Sequence, residues 1–345
     1  MPTPSLTAAA PARAAIVIPC LNEESVIGGV VREMLSDGDL VDLVVIVADG
    51  GSTDGSRQIV AEIAAVDPRV RLLPNPARLQ SAGVNLAAAT LGPDRDWLVR
   101  VDAHADYAVN YVSTLIAEAV RTGADSVVVS MDTRGTAAFQ RAAAAAQNSV
   151  LGTGGSAHRL AGPGGWVDHG HHALFRLSAF QAAGGYDETF SHNEDAELDL
   201  RLTGQGGRIW LTDRLRIGYH PRATPVALAR QYFNYGRGRA RTVLKHRTRL
   251  KLRQAAPLAV APAVALVLLT PLSWMFALPA LVWATACLAF GMLLTLKTRD
   301  LAVAASGPAA MIMHLAWSLG FLAGLARRRG GAGGAGATPG AQAIV

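Results

Sequence analysis

The feature that most constrains this chain is a run of 43 residues, 254–296, without a single charged side chain. As one helix this run would be about 64 Å long, roughly twice the thickness of a bilayer's hydrocarbon core. It therefore predicts two membrane spans, residues 255–272 and 274–296, that turn at the sequence TPLSW. A third apolar stretch, residues 301–325, is interrupted only by His314. We expect a membrane region over residues 254–326.

Charge is distributed unevenly along the chain. Residues 214–345 contain one acid, Asp300, and 17 bases, whereas the preceding part holds the other 25 acids. A basic region can bind nucleic acid or an anionic membrane surface. The basic segment 230–253 leads directly into the first span, so we interpret it as an amphipathic interfacial helix on the anionic cytoplasmic leaflet, without a nucleic-acid partner. The bases beside the spans also predict that the part of the chain before them lies in the cytoplasm.

The N-terminal part alternates short apolar runs with amphipathic segments. The runs AAIVIP, LVVIVA and WLVRV predict buried strands, and the segments between them have helical spacing. This alternation indicates a doubly wound α/β domain, with a parallel sheet covered on both faces. We assign this domain to residues 14–229, after an N-terminal extension of residues 1–13. The Gly-rich segment 327–345 has little apolar content and is predicted to be disordered.

Polar clusters follow three of the predicted strands, with the sequences CLNEE, DGGSTDGS and DAHAD. In such sheets, ligands bind beyond the carboxyl ends of the strands. Because the three clusters meet at one edge, we expect a binding crevice there, complete before the spans begin. Asp49, directly at a strand end, can accept hydrogen bonds from a base or a ribose. The same residue types also form turns and helix caps, and Asp106 is expected to cap the next helix.

Two further clusters carry side chains capable of chemistry. The segment SHNEDAELDLRL places four carboxylates within six residues, from Glu194 to Asp199. An acidic helix N-terminus, where the helix dipole favours carboxylates, is sufficient to explain Glu197 and Asp199. The segment GPGGWVDHGHH is interpreted as a loop that lines a binding pocket, where Trp166 offers a flat aromatic face. Its histidines have no cysteine nearby and form a poor closed zinc site.

Taken in order, the motifs IPCLNEE, VADGGSTDGS, DAHAD and HNEDAELDLRL resemble those of the family 2 inverting glycosyltransferases. The strings RVDAHADY, VDHGHHALFR and RQYFNYGRGRAR resemble the succinoglycan-type exopolysaccharide glucosyltransferases of bacteria. The resemblance implies a GT-A fold and an enzyme of the bacterial inner membrane. The implied enzyme would transfer a hexose, with glucose as the expected sugar, from a UDP-sugar to a polyprenyl-diphosphate-linked saccharide. Two alternatives stay open: transfer to polyprenyl phosphate, and a non-catalytic membrane protein that binds sugar nucleotides.

The resemblance also implies which residues bind the donor. The DAHAD motif corresponds to the family's D-x-D metal motif, with His104 in place of its second aspartate. Because imidazole suits softer ions than carboxylates do, Mn²⁺ is favoured over Mg²⁺. The implied metal ligands are Asp102, His104 and His220. The implied nucleotide contacts are Pro19, Leu21, Asn22, Glu23, Asp49 and Asp102.

The remaining roles implied by the resemblance concern the reaction and the acceptor. Asp195 would take the proton from the acceptor hydroxyl, with Glu194 as an acceptor-binding neighbour. The metal would stabilise the charge on the leaving diphosphate. Contacts to a diphosphate, either of UDP or of a lipid carrier, are expected from Gln231, Arg237 and Arg239. Contacts to the acceptor are expected from Trp166, His169 and His171.

Overall fold

A mixed eight-stranded sheet forms the centre of the N-terminal domain in the computed structural model, which describes residues 12–39, 42–156, 159 and 162–330. The strands are β1 (Arg13–Cys20), β2 (Asp42–Asp49), β3 (Val70–Pro74), β4 (Trp97–Arg100), β5 (Ser126–Thr133), β6 (Gly165–Val167), β7 (His171–Arg176) and β8 (Ile209–Tyr219). Their order across the sheet is β3-β2-β1-β4-β7-β5-β8-β6.

Helices cover both faces of this sheet and continue into the C-terminal region. Those on and around the sheet are α1 (Ile27–Leu35), α2 (Ser56–Val66), α3 (Gln80–Ala89), α4 (Tyr111–Thr122), α5 (Ala138–Gln147), α6 (Val150–Thr153), α7 (Leu177–Ala182) and α8 (Glu194–Gly204). The later helices are α9 (Pro225–His246), α10 (Leu252–Ala255), α11 (Val260–Leu266), α12 (Leu278–Thr298) and α13 (Ser306–Gly330).

The predicted doubly wound α/β class is confirmed, because alternate residues of the strands belong to two separate apolar layers. Ile16 and Ile18 of β1 pack with α1, α2 and α4 on one face. Ala15 and Val17 pack with α3, α7 and α8 on the other face. A strand covered on both sides needs apolar residues at every position, which explains the continuous apolar runs in the sequence.

The expectation of a parallel sheet is correct for six of the eight strands and wrong for β6 and β7. β7 lies antiparallel between β4 and β5, and β6 lies antiparallel to β8 at the outer edge. β7 begins beside the carboxyl end of β4, because its last residue, Arg176, pairs with Trp97, the first residue of β4. This reversed direction brings the beginning of β7, at His171, to the edge that carries the predicted crevice.

Within the residues that the structure describes, three helical segments are long and apolar enough to span a membrane: Leu252–Leu269, Trp274–Thr298 and Leu301–Ala326. They lie within a few residues of the predicted spans. The first is divided between α10 and α11 by a 3₁₀ turn that contains Pro257, which cannot donate a backbone hydrogen bond. The third continues to Gly330, inside the segment predicted to be a disordered tail, whose remainder lies outside the described residues.

The basic segment that we expected on the membrane surface belongs to α9, which packs along α13. The two helices cross at glycines. A Cβ atom on Gly236 would collide with the backbone of Trp317, and one on Gly320 would collide with that of Phe233. Small residues at such positions let helix backbones approach closely. The catalytic domain and the membrane region are therefore joined by a tight helix pair, which we call the α9–α13 contact.

Candidate active site

A cavity of about 1530 Å³ lies where the carboxyl ends of β4, β5 and β8 face α9 and the membrane region. We call it the central cavity. One end is polar and includes Asp102 and Asp195, whereas the other end is lined by Trp283, Met313 and Trp317 of α12 and α13. The cavity therefore extends beyond the predicted nucleotide crevice to residues of the spans. The α9–α13 contact holds membrane helices against the domain, where they form part of the wall.

Arg100, which the sequence analysis did not single out, lies at the centre of the polar end. Its guanidinium lies 2.6 Å from Asp195 Oδ1, 3.4 Å from Asp102 Oδ1 and 3.7 Å from Glu194 Oε1. It also donates a hydrogen bond of 3.0 Å to Oε1 of Gln80. The side chain is only 8% exposed. One buried cation thus links the predicted donor motif to both predicted acceptor-side carboxylates.

Asp195 is held by three neighbours on different elements. Besides Arg100, the hydroxyl of Tyr186 donates to Oδ1 at 2.9 Å, and Nδ1 of His171 lies 2.9 Å from Oδ2. Burial raises the pKa of Asp195, but the charge of Arg100 and the His171 hydrogen bond outweigh it and hold this pKa well below its usual range. In Glu194, burial and the neighbouring Asp195 raise the pKa. The carboxylate of Asp195 is therefore ionised and fixed in place at neutral pH.

The other predicted acceptor residues occupy different surroundings. His169 lies with Nδ1 2.7 Å from Oδ2 of the buried Asp199, which also accepts from the backbone N–H of Gly170. Burial lowers the pKa of His169 to about 4, so its ring is neutral at neutral pH. Trp166 lies on β6 at the sheet edge, against Trp210, and is not among the residues that line the central cavity. Of the predicted acceptor residues, His169 and His171 line the cavity.

Carboxylates that the sequence analysis left without a catalytic role are structural. Glu197 is fully buried and binds Arg201, Lys245 and His246. It therefore fastens α8 to the end of α9. Asp106 does not cap the following helix; Asp37 does so, accepting a 2.8 Å hydrogen bond from the backbone N–H of Val112.

The loops predicted to hold the nucleotide are bonded to each other. Asn22, in the left-handed region with φ 58°, accepts a 2.8 Å hydrogen bond from the backbone N–H of Thr53. Its own N–H donates to Oγ of Ser52 at 2.9 Å. Asp49 is buried and accepts from the backbone N–H of Gly51 at 3.0 Å. Pro19 is buried within β1, and Leu21 and Glu23 flank Asn22 with partly exposed side chains.

The candidate metal ligands all line the central cavity, but they have different neighbours. His104 Nδ1 lies 3.2 Å from Glu23 Oε1, and His220 Nε2 lies 3.6 Å from Asp106 Oδ2. Within the described residues, no three histidine, cysteine or acidic side chains come together as a metal site. Asp102, which lines the same cavity as His104, is the only carboxylate among the predicted metal ligands.

The three predicted diphosphate contacts on α9 separate into different environments. Gln231 is buried and donates to the hydroxyls of Tyr219 at 2.8 Å and Tyr235 at 3.0 Å. Gln231 and Arg239 both line the central cavity, whereas the charge of Arg237 acts on His192. Gln231 is thus part of the packing between α9 and the end of β8.

His192 gives the domain a predictable response to acid. Burial and the charges of Arg237 and Arg222 lower its pKa to about 4. Because the unfolded chain binds this proton near pH 6.5, stability should fall as the pH drops from 6.5 towards 4, by at most about 3 kcal/mol. Thermal unfolding of the full chain in detergent should show a smaller loss for His192→Asn, which cannot titrate. Identical pH profiles for both proteins would contradict this assignment.

Comparison with known proteins gives one consistent result. The model described as "Glycosyl transferase family 2" matches residues 15–184, and that described as "Glycosyl transferase family group 2" matches residues 108–296. The succinoglycan biosynthesis protein ExoA of Rhizobium meliloti (strain 1021) is 53% identical over 306 residues, which are 89% of this chain and 93% of the relative.

A solved structure with similar architecture is the mannosyltransferase PcManGT from Pyrobaculum calidifontis in complex with GDP-Man and Mn²⁺. It has a TM-score of 0.59 and 16% sequence identity, and the match covers 91% of this chain and 87% of that chain. At this identity the likeness establishes the GT-A fold.

Proposed function

This chain belongs to glycosyltransferase family 2, and on that premise we propose that it moves a hexose from a UDP-sugar to a polyprenyl-diphosphate-linked saccharide during exopolysaccharide assembly. The enzyme is a glycosyltransferase. The identity of its donor, the identity of its acceptor and the inversion of configuration at the anomeric carbon are our proposal. Glucose is the first sugar to test. The proposed location is the inner membrane of a bacterium, with the catalytic domain in the cytoplasm, where the bases beside the spans favour it.

The observation that carries the proposal is the position of Asp195 in the central cavity. Arg100 connects it to Asp102 on the donor side, and the cavity continues from it to the apolar residues of α12 and α13. A carboxylate base between a nucleotide-sugar site and a membrane-facing wall suits an acceptor hydroxyl that arrives on a lipid carrier. The ExoA relative, a succinoglycan biosynthesis protein, supports the assignment to exopolysaccharide assembly.

The proposed reaction is a single displacement. The acceptor oxygen forms a bond to the anomeric carbon, whose bond to UDP breaks with the electron pair on UDP, and Asp195 takes the hydroxyl proton. Arg100 keeps Asp195 ionised but makes it a weak base. Proton transfer then becomes favourable as the new bond forms, because an oxygen bonded to the anomeric carbon is far more acidic than a free hydroxyl.

A divalent ion fits the donor side of this site. Such ions bind nucleotides through one or two protein carboxylates together with the phosphates, so a cluster of three protein ligands is not required. Asp102 and His104 would hold the ion, with Mn²⁺ preferred to Mg²⁺. When bound, the ion would stabilise the negative charge that develops on the leaving diphosphate.

The test uses the purified full chain in lipid nanodiscs, a panel of UDP-sugars and a lipid-linked saccharide extract. We expect UDP release that needs both the extract and Mn²⁺, with the sugar recovered on the lipid-linked saccharide. Sugar recovered on polyprenyl phosphate alone would favour the alternative acceptor. UDP release at the same rate without any acceptor would contradict transfer.

His104 allows the metal assignment to be tested separately. His104→Ala should weaken Mn²⁺ binding and lower metal-dependent transfer by at least about tenfold, since an ion held by few protein ligands loses one of them. His104→Asp should retain activity and shift preference towards Mg²⁺. The matched control is Asp106→Ala, which should have little effect because this side chain is 73% exposed. The measurement is rate and metal binding against Mn²⁺ and Mg²⁺ concentration, and wild-type values for His104→Ala would make His104 structural.

A further inference from the structure

Of the arginines that line the central cavity, only Arg100 has an ion-pair partner among the described residues, and two of the others lie next to the membrane region. Arg239 lies on α9, and Arg253 lies on α10 as the last charge before the apolar run of the first spans. Both side chains are partly buried. Removing a cation from water without pairing it is costly, so two such groups in one cavity wall indicate an anionic ligand.

The carboxylates that could neutralise these arginines are already bound elsewhere. Asp168 forms an ion pair with Lys251, whereas burial keeps Asp199 uncharged, and its side chain binds His169 and accepts from the backbone N–H of Gly170. Burial and the neighbouring charge of Arg253 lower the pKa of Arg239 by more than the nearby Asp168 and Asp199 raise it, which agrees with two cations that lie close together and are only partly compensated. An incoming anion would relieve both effects.

The arginine pair lies on the acceptor side of the base. The predicted nucleotide loops follow β1 and β2, near one end of the sheet order. Arg239 instead acts electrostatically on His169 and lies near Asp168, in the segment between β6 and β7 towards the other end. The pair is therefore placed for a second anion, distinct from the diphosphate of a donor at Asp102.

The same cavity becomes apolar next to the arginine pair. Pro257 and Val260, which follow Arg253 along the chain, line it together with Trp283, Met313 and Trp317. A ligand that fits this wall carries phosphate at one end and hydrocarbon at the other. Free phosphate would satisfy the arginines but would leave the apolar wall without a partner.

We propose that Arg239 and Arg253 bind the diphosphate of a membrane-anchored acceptor, while the apolar wall beside them receives the start of its hydrocarbon chain. This site rests on the proposed function and identifies the part of the acceptor that the protein holds. With the diphosphate fixed at the arginine pair, the attached saccharide can extend through the cavity towards Asp195. The acceptor would be selected by its anchor, independently of its sugar sequence.

The test measures binding to the full chain in detergent by microscale thermophoresis, with farnesyl diphosphate as the probe. Arg239→Gln and Arg253→Gln should each weaken its binding by about 10- to 100-fold, the range for loss of a charge-assisted hydrogen bond. Arg239→Lys should retain part of the affinity. The matched control is Arg249→Gln, which removes the same charge from an exposed position between α9 and α10 and should change nothing.

Binding of UDP, farnesol and inorganic diphosphate completes the design. UDP binding should be unchanged in every variant, which also shows that the variants are folded. Farnesyl diphosphate should bind more tightly than farnesol or inorganic diphosphate. Equal affinity of all variants for farnesyl diphosphate, parallel loss of UDP binding, or equal binding of inorganic diphosphate would each overturn the proposal.

These results are separate from the test of transfer. Absence of sugar transfer with intact, arginine-dependent binding of farnesyl diphosphate would count against the proposed function alone. Normal sugar transfer, together with equal binding of farnesyl diphosphate by the Arg239, Arg253 and Arg249→Gln variants, would count against this site alone.

Discussion

Asp195→Asn is expected to lower the rate of sugar transfer by about two to four orders of magnitude while UDP-sugar binding is retained. Asparagine keeps an oxygen that can accept from Arg100 and Tyr186. Its amide nitrogen can donate to His171 after a change of tautomer, so the geometry around position 195 should persist. What is lost is the ability to take a proton from the acceptor. The measurement is kcat together with the donor dissociation constant.

The chain provides a matched control for this substitution one turn further along α8. Burial raises the pKa of Asp199 well above its usual range, so its carboxyl group is neutral, and asparagine is a close replacement. Asp199→Asn should therefore leave kcat almost unchanged. Glu194→Gln tests the neighbouring carboxylate in the same way. A large loss with Glu194→Gln and a rate above about a tenth of wild type with Asp195→Asn would make Glu194 the base.

Arg100→Met is expected to destabilise the protein by about 3–5 kcal/mol and to abolish transfer. The substitution leaves Asp102, Glu194 and Asp195 around a site without its cation, and breaking a buried ion pair from one side has a cost of this order. The pKa of Asp195 should then rise, because the group that lowers it most is gone. Thermal unfolding in detergent measures the stability, and donor turnover measures the activity.

Arg121→Met is the matched control for Arg100→Met. Arg121 pairs with the fully buried Glu118, but that carboxylate also has Arg214 at 3.2 Å and hydrogen bonds from Trp210 and Thr212. Arg121→Met should therefore lose much less stability than Arg100→Met. Adding Asp195→Asn to Arg100→Met should recover part of the stability, since it removes one unpaired charge. Similar losses of stability in the Arg100 and Arg121 variants would show that the ion pairs of Arg100 contribute no more to stability than that of Arg121.

The strands β1, β2 and β4 were predictable because both of their faces are covered, which requires an apolar residue at every position. β6 and β7 gave no such signal. β6 has three residues and lies at an edge, and β7 begins with two histidines. Their antiparallel direction depends on the path of the preceding segment, which local sequence does not encode. The parallel strands β1, β2 and β4 were therefore predictable, and the two antiparallel strands were not.

The motifs predicted the candidate site, but not the contacts that govern its charge. The DAHAD motif and the acidic segment identified Asp102 and Asp195 as candidate site residues. Arg100 was visible as the only charge in an apolar strand, yet its meaning depends on Asp195, which lies 95 positions further along the chain. The role of Gly320 was also visible, in its spacing of four from Gly324, which is typical of closely packed membrane helices. Its partner on α9 could be identified only in the fold.

The α9–α13 contact has a consequence for how the enzyme is made. α13 leaves the ribosome after every other element that lines the central cavity, and Met313 and Trp317 complete its wall. The sheet, Arg100 and Asp195 can all be in place earlier, but a nascent chain with these parts still lacks a closed acceptor path. Catalytic competence is thus acquired only after α13 has been synthesised and has docked on α9. A chain that has not completed this step would bind nucleotide without consuming it.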